Sequence, residues 1–249
     1  MATTNGGSAR VAVVTGGSRG IGRACAERLA GDGFAVVLNF ASNAAEAGNT
    51  AEVIRGAGGV AVTAQGDVAD ESAMAAVFDR AESEFGGVDV VVHAAGRMQL
   101  ATLVDLDLAV LDSTYRTNIR GTFVVDQQAA RRLRPGGAII NFSTSVVGAA
   151  FPTYGAYAAS KGAVEALTMI LARELRGRDV TVNAVAPGPT ATDLFLDGKD
   201  DATVQRLADA VPLQRLGEPA DIAAVVAFLA GPQGHWVNGQ VVRANGGLV

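Results

Sequence analysis

Val11-Ala-Val-Val-Thr15, followed by Gly16-Gly-Ser-Arg-Gly-Ile-Gly22, is the stretch on which the fold turns. Its first five residues carry no apolar/polar alternation, which predicts a strand buried on both faces. Beyond the glycines, Ile21, Cys25, the Arg28 stem and Leu29 recur at intervals of three and four, which predicts a helix over residues 21–30. The turn between them has a physical job for each glycine. Gly16 permits the tight bend, Gly20 lets an anionic group approach the backbone, and Gly22 lets helix and strand pack closely. The helix start adds free N–H groups and the positive end of its dipole. With Ser18, Arg19 and Ile21 in the same turn, the loop is a candidate cradle for a pyrophosphate.

The βα pattern repeats outward from this unit. Apolar runs predict strands over 35–39, 60–64, 88–93, 138–142 and 180–185, with a last one at 240–243. Helical periodicity fills the gaps at 43–56, 70–85, 108–133, 154–176 and 219–230. Near-continuous Val/Ile strands separated by helices imply an α/β fold, a doubly wound (Rossmann) seven-stranded parallel sheet with helices on both faces. Ligands of such sheets lie in the crevice at the carboxyl ends of the strands. No composition shift, low-complexity block or repeat divides the chain. Residues 1–9 are expected to be a flexible tail and 10–249 one domain, with 190–217 an excursion of the kind that forms lids.

Composition removes whole classes of function. The chain has 249 residues, of which 20 are basic and 25 acidic, for a net charge of −5. It therefore offers no basic footprint for nucleic acid or an anionic membrane, and no apolar run reaches the length of a membrane span. One cysteine, Cys25, excludes an internal disulfide, and with two histidines, His93 and His235, it makes no spaced metal-ligand set. No metal is expected, and the start of the chain does not read as a secretory signal. A cytoplasmic protein acting on small molecules is the expectation.

Tyr157-Ala-Ala-Ser-Lys161 is the strongest local signal for chemistry. Residues four apart on a helix share a face, so a phenol and an ammonium point into one site. A nearby cation favours the phenolate and lowers the tyrosine pKa. Of the 20 basic residues only Lys161 and Lys199 are lysine, so a lysine at 161 reads as a choice of compact ammonium over guanidinium. Tyr154 has Ala158 four residues on, hence no such partner, and is placed at the mouth of the site.

The glycine loop, spaced Gly-x-x-x-Gly-x-Gly, and the Tyr-x-x-x-Lys pair together resemble those of the short-chain dehydrogenase/reductase family, single-domain NAD(P)-dependent oxidoreductases. Further motifs follow in family order across nearly the whole chain. Asp67 and Val68 follow the third strand, where the family sets an acid on the adenine amino group. Ala95 and Gly96 follow the fourth, where their backbone approaches the cofactor. There His93 and Ala94 replace the family's asparagines, and His93 is read as a core histidine. Ser145, before Val-Val-Gly, matches the family's catalytic serine, with Thr144 and Ser143 as alternative hydroxyls. Asn118 matches its mid-helix asparagine. Pro187 and Gly188 match the turn flanking the nicotinamide, and Thr190 and Thr192 are candidate contacts to its amide or phosphates.

The resemblance implies hydride transfer between nicotinamide and a carbonyl carbon. In that scheme Ser145 hydrogen-bonds the oxygen and Tyr157 exchanges its proton. Lys161 lowers the tyrosine pKa and binds ribose hydroxyls, while Asn118 holds a relaying water. At the end of the second strand Asn39-Phe-Ala-Ser42 carries no carboxylate to bind a ribose diol and repel a 2′-phosphate. Arg19, helped by Asn39 and Ser42, therefore points to NADP(H) over NAD(H). The expected reaction is reduction of a ketone to a secondary alcohol.

The chain looks most like 3-oxoacyl-[acyl-carrier-protein] reductases and related carbonyl reductases. A 3-oxoacyl thioester is thus a candidate substrate and an acyl carrier protein a candidate partner, met by Arg178 with Arg131, Arg132 and Arg134 nearby. The alternatives are an oxidative alcohol, sugar or steroid dehydrogenase and a non-catalytic dinucleotide sensor. Family likeness implies a homotetramer built through the two long central helices, with Trp236 near a second contact.

Overall fold

The computed structural model describes residues 9–249. Of the expected tail, residues 1–8 lie outside the described residues. Seven strands, β1 (Val11–Thr15), β2 (Ala35–Phe40), β3 (Val60–Gln65), β4 (Val88–His93), β5 (Leu133–Phe142), β6 (Val180–Pro187) and β7 (Val241–Ala244), form one sheet in the order β3-β2-β1-β4-β5-β6-β7. Every pairing is parallel. The main helices are α1 (Gly20–Gly31), α2 (Ala44–Gly56), α3 (Glu71–Phe85), α4 (Leu108–Tyr115), α5 (Gly121–Arg132), α6 (Val146–Ala149) and α7 (Gly155–Glu174). After β6 come α8 (Asp193–Leu196), α9 (Asp201–Asp209) and α10 (Pro219–Ala230).

Strand period builds two cores from one sheet. Ala12 and Val14 of β1 pack with Val90, Val92 and Ile140 under α1 and α10, while Val11 and Val13 pack with Val91, Ile139 and Val182 under α3, α5 and α7. Successive side chains of a strand point to opposite faces, so each Val/Ile run serves both layers, which is why these strands lack alternation. The strand order reverses between β1 and β4, and the crevice at that switch point receives the loops after β1, β2, β4 and β5.

Two expectations are corrected. The single helix over 108–133 is instead α4, a π-helical turn at Arg116–Arg120, and α5. The wider turn places Asn118 in the buried interior, in keeping with the use of π-turns at functional sites. β5 begins at Leu133 rather than 138. The chain passes through Gly136 at φ +79° and through Gly137, where a Cβ would lie 2.7 Å from the Asp89 carbonyl. The 190–217 excursion carries α8 and α9 and is closed at its base by a bridge between Thr190 and Gly217.

Beneath the end of β5, Asp126 of α5 is buried and accepts a 2.9 Å hydrogen bond from Asn141 Nδ2, while Asp126 Oδ1 and Asn141 Oδ1 have no partner. Burial pushes the carboxyl up to about 7, against the smaller opposing effect of the Asn141 hydrogen bond. A carboxyl that keeps its proton avoids burying a charge beside an unpartnered oxygen. The unfolded chain releases this proton near the ordinary carboxylate value and the folded chain near pH 7. Stability therefore falls as pH rises from about 4 to about 7 and is level above, with an upper limit on the order of 4 kcal/mol. Asp126→Asn, neutral throughout and supplying an N–H, is expected to raise the thermal midpoint at pH 8 and to lose that advantage near pH 4. A difference between the two proteins that ignores pH would show that the carboxyl does not titrate in this range.

Candidate active site

The carboxyl edge of the sheet opens into a cleft of about 730 Å³. It is lined by the glycine loop, the ends of β2 to β6, the face of α7 bearing Tyr157 and Lys161, and the 190–217 excursion. Gly16 takes φ +63°, and a Cβ there would lie 3.0 Å from the Ala95 backbone. At Gly22 a Cβ would stand 2.1 Å from the Gly16 carbonyl. The first helical turn above them begins at Arg19, which offers no side-chain cap. Its backbone N–H groups thus face the cleft as an anion cradle. A phosphate-bearing dinucleotide fits this donor set.

The structure brings every proposed cofactor residue to this one cleft: Ser18, Arg19, Gly20, Ile21, Asn39, Ser42, Asp67, Val68, Ala95, Gly96, Pro187, Gly188, Thr190 and Thr192 all line it. Their commitments differ from expectation in one case. Asn39 donates both amide hydrogens, to Ala64 O and Gly66 O at 3.2 and 3.0 Å. Only its oxygen is left, so Asn39 is corrected from a phosphate donor to a strut between β2 and the loop after β3. Arg19 is exposed and makes no ion pair among the described residues, and Ser42 is exposed beside it at the rim. Asp67 accepts from Ala69 N and from Arg116 at 2.9 and 2.6 Å. Burial raises its carboxyl, but these bonds outweigh it and hold the group below its ordinary value.

At the reaction end, Tyr157 and Lys161 face the cleft with the Lys161 ammonium 6.0 Å from the phenol ring centre. Lys161 is buried and donates a 2.8 Å bond to the Phe142 carbonyl. The expected lowering of the tyrosine pKa is not what the protein's own groups produce. Burial pushes Tyr157 up to about 12, a hydrogen bond from Thr144 opposing it, and pushes Lys161 down to about 8. Desolvation dominates the shift at Tyr157, and the ammonium, itself buried, is turned toward Phe142 O.

Ser145 is buried and donates to Ala186 O at 3.2 Å, Ser143 donates to Glu165 Oε1 at 2.6 Å, and Thr144 is the hydroxyl that meets Tyr157. Asn118 is fully engaged through its side chain. Its Oδ1 accepts from Arg97 N at 2.8 Å, and its Nδ2 donates to Arg97 O at 2.9 Å and Ser160 Oγ at 3.0 Å. Through these bonds the side chain positions the loop after β4.

Sequence reasoning missed a buried chain of polar groups beside this loop. Ala95 N donates to Thr15 Oγ1, which bonds His93 Nδ1 at 2.8 Å; His93 Nε2 meets Thr122 Oγ1 at 3.1 Å, and Thr122 donates to Asn118 O. His93 is the core residue expected, held neutral because burial, then Lys161, drops its pKa to about 3. Thr122, Ser160, Arg97 and Arg116 carried no motif. The four basic residues assigned to a carrier protein lie at the other, amino edge of the sheet or beside it. There Arg132 pairs with Asp79, Arg134 with Asp89, and Arg178 donates to Ala130 O.

A doubly wound sheet with an uncapped glycine-rich helix start and a Tyr/Lys pair in the same crevice defines a dinucleotide-dependent oxidoreductase. A family model described as enoyl-(acyl carrier protein) reductase matches residues 16–249. A short-chain type dehydrogenase/reductase of Picea abies is 46% identical, covering 96% of this chain and 92% of that protein. A protein of Arabidopsis thaliana named NADPH-dependent aldehyde reductase-like protein, chloroplastic, is 43% identical over 96% of this chain and 94% of its own length. Among solved structures, a short chain dehydrogenase from Burkholderia cenocepacia J2315 in complex with NADP superposes with a TM-score of 0.90 at 38% identity, covering 96% of this chain and 97% of that one. The chain belongs to the short-chain dehydrogenase/reductase family. Among the described residues no helix is long and apolar enough to cross a membrane, and no group of three or more His, Cys, Asp or Glu could hold a metal ion.

Proposed function

We propose that this protein reduces the carbonyl group of a small aldehyde or ketone with NADPH. The observation that carries the reading is the meeting of Tyr157, Lys161 and Ser145 with the glycine cradle in one cleft. When bound, the dinucleotide supplies the hydride. Tyr157, protonated at neutral pH, gives its proton to the oxygen as charge builds there. Ser145 turns its hydroxyl from Ala186 O to that oxygen, and Thr144 keeps the phenol oriented. Lys161 holds a positive charge beside the phenol and takes the ribose hydroxyls, while Asn118 keeps residues 96 and 97 in place. Residues 190–217 act as the lid, Leu194, Phe195 and Leu207 closing the cleft.

NADP(H) is the cofactor, since β2 ends without a carboxylate and Arg19 stands free at the rim; the Arabidopsis relative is named for NADPH and the Burkholderia structure holds NADP. NAD(H) serves as the weaker alternative. A 3-oxoacyl or enoyl thioester is the second reading, prompted by the family description. The local engagement of Arg132, Arg134 and Arg178 speaks against a carrier protein docking on them. A homotetramer would cover the exposed Phe123 of α5, Met169 and Ile170 of α7, and Trp236.

The test is oxidation of NADPH and NADH by purified protein with free aldehydes, free ketones, an acetoacetyl thioester and a crotonyl thioester. Turnover of free carbonyls with NADPH is expected, and activity confined to either thioester would replace this reading. In the same assay Arg19→Gln is expected to raise the KM for NADPH about tenfold or more while leaving that for NADH nearly unchanged, the loss of one charged phosphate contact. Equal effects on both cofactors would remove Arg19 from phosphate recognition.

A further inference from the structure

Four cationic side chains line the cleft: Arg19, Arg97, Arg116 and Lys161. Three have work. Arg19 belongs to the phosphate cradle, Arg116 is paired with Asp67 at 2.6 Å, and Lys161 is tied to Phe142 O beside Tyr157. Arg97 is left. Arg97 is an exposed residue of the cleft lining, and its guanidinium makes no ion pair among the described residues, although the chain carries five more acidic than basic side chains.

Its backbone is the opposite of free. Asn118 grips both the N–H and the carbonyl of Arg97, as a neighbouring strand would. The preceding Gly96 lies against the catalytic end, where a Cβ would be 3.5 Å from Lys161 Nζ. A few residues on, Ala101 N donates to Thr153 O at 3.0 Å, joining this segment to the loop bearing Phe151 and Tyr154. The side chain therefore starts from a rigid point between the reacting groups and the substrate mouth. The apolar part of the cleft lining includes Met98, Val146, Phe151, Leu194, Phe195 and Leu248.

We propose that Arg97 is a specificity residue that selects carbonyl substrates carrying a carboxylate on an apolar or aromatic body. A guanidinium forks onto a carboxylate through two parallel hydrogen bonds, and it does so most strongly where the surroundings are apolar and poorly hydrated. The apolar lining takes the body of the substrate, and Arg97, the lining cation given no other task, takes its anionic end. The proposal rests on the carbonyl-reductase reading for its chemistry but not for its anion site.

The experiment compares benzaldehyde with 4-carboxybenzaldehyde as substrates, in the wild type, Arg97→Gln and Arg97→Lys, with NADPH affinity followed by its fluorescence. Benzoate, which has the anion and no reducible carbonyl, is titrated calorimetrically onto each protein–NADPH complex. The expected result is a loss of about 10- to 100-fold in kcat/KM for the carboxylated aldehyde in Arg97→Gln, the range of one charge-assisted contact. Benzaldehyde turnover and NADPH affinity stay within about twofold, Arg97→Lys recovers part of the loss, and benzoate binding weakens in parallel. Equal losses on both aldehydes, or weakened NADPH binding in their place, would overturn the proposal and assign the guanidinium to the loop or to a cofactor phosphate. Benzoate that fails to bind the wild type, or binds Arg97→Gln as well, also overturns it. If neither aldehyde turns over yet benzoate binding depends on Arg97, the carbonyl reading falls and the anion site stands.

Discussion

Tyr157→Phe is expected to lower kcat for carbonyl reduction about a thousandfold or more while leaving NADPH affinity within about twofold. A positioned general acid contributes about 10²- to 10⁴-fold, and a thousandfold corresponds to about 4 kcal/mol of barrier. The phenol lies in the cleft wall, with Lys161 beside its ring. Removing one oxygen atom leaves that packing intact, so a lost rate with unchanged binding separates the acid role from a structural one. The wild-type pH profile carries a second sign. Burial pushes Lys161 down to about 8, so its charge is present below that pH and lost above it, and kcat/KM for reduction should decline as pH rises through about 8. Because Tyr157 is held near 12, the decline belongs to the lysine. Substantial turnover by the phenylalanine variant, measured with the substrate that the wild type reduces best, would transfer the acid role to another group.

Gly22→Ala is expected to be severe for a different reason. The added carbon would stand 2.1 Å from the Gly16 carbonyl, a backbone atom that cannot swing aside. Relief requires α1 to lift from β1, which moves the N–H groups that make the anion cradle. Overpacking of this kind costs about 3 kcal/mol, or roughly 6 to 12 °C in thermal midpoint for a chain of this size. NADPH affinity should fall about tenfold or more, because the cradle is displaced from its strand. Gly31→Ala, at the far end of the same helix with nothing within 4 Å of the added carbon, is the control. It should leave binding unchanged and hold or slightly raise the stability, by up to about 1 kcal/mol. Normal NADPH binding by Gly22→Ala would mean that the loop is not the cradle.

How far the site was readable follows from the range of the forces involved. Gly16, Gly20 and Gly22 announce themselves because backbone geometry is decided within a few residues. Tyr157 and Lys161 do so because helix pitch alone puts them on one face. Strand content was legible for the same reason, with β1 and β4 falling on the expected residues. The break in the long helix was not, since nothing in Arg116–Arg120 reads as a helix breaker; the π-turn lets Asn118 reach the Arg97 backbone and Ser160. Asn39 failed differently. Its type suited a phosphate, but its hydrogens were taken by carbonyls 25 and 27 residues away.

Periodicity, φ and residue spacing thus defined the class of fold, the edge of the sheet at which the cleft opens, the glycine-rich turn and the helix that bears Tyr157 and Lys161. Which of these groups are free to act emerged only in the assembled fold. It committed Asn39, Ser143 and the Asn118 side chain to holding the frame and paired Arg116, Arg132 and Arg134 with acids. It also turned Lys161 toward Phe142 O and left Arg97 in the cleft lining without an ion-pair partner among the described residues. A hydrogen-bond donor or a charge is available only if nothing distant in the chain has already taken it, and that is settled by packing between elements, which no stretch of sequence records.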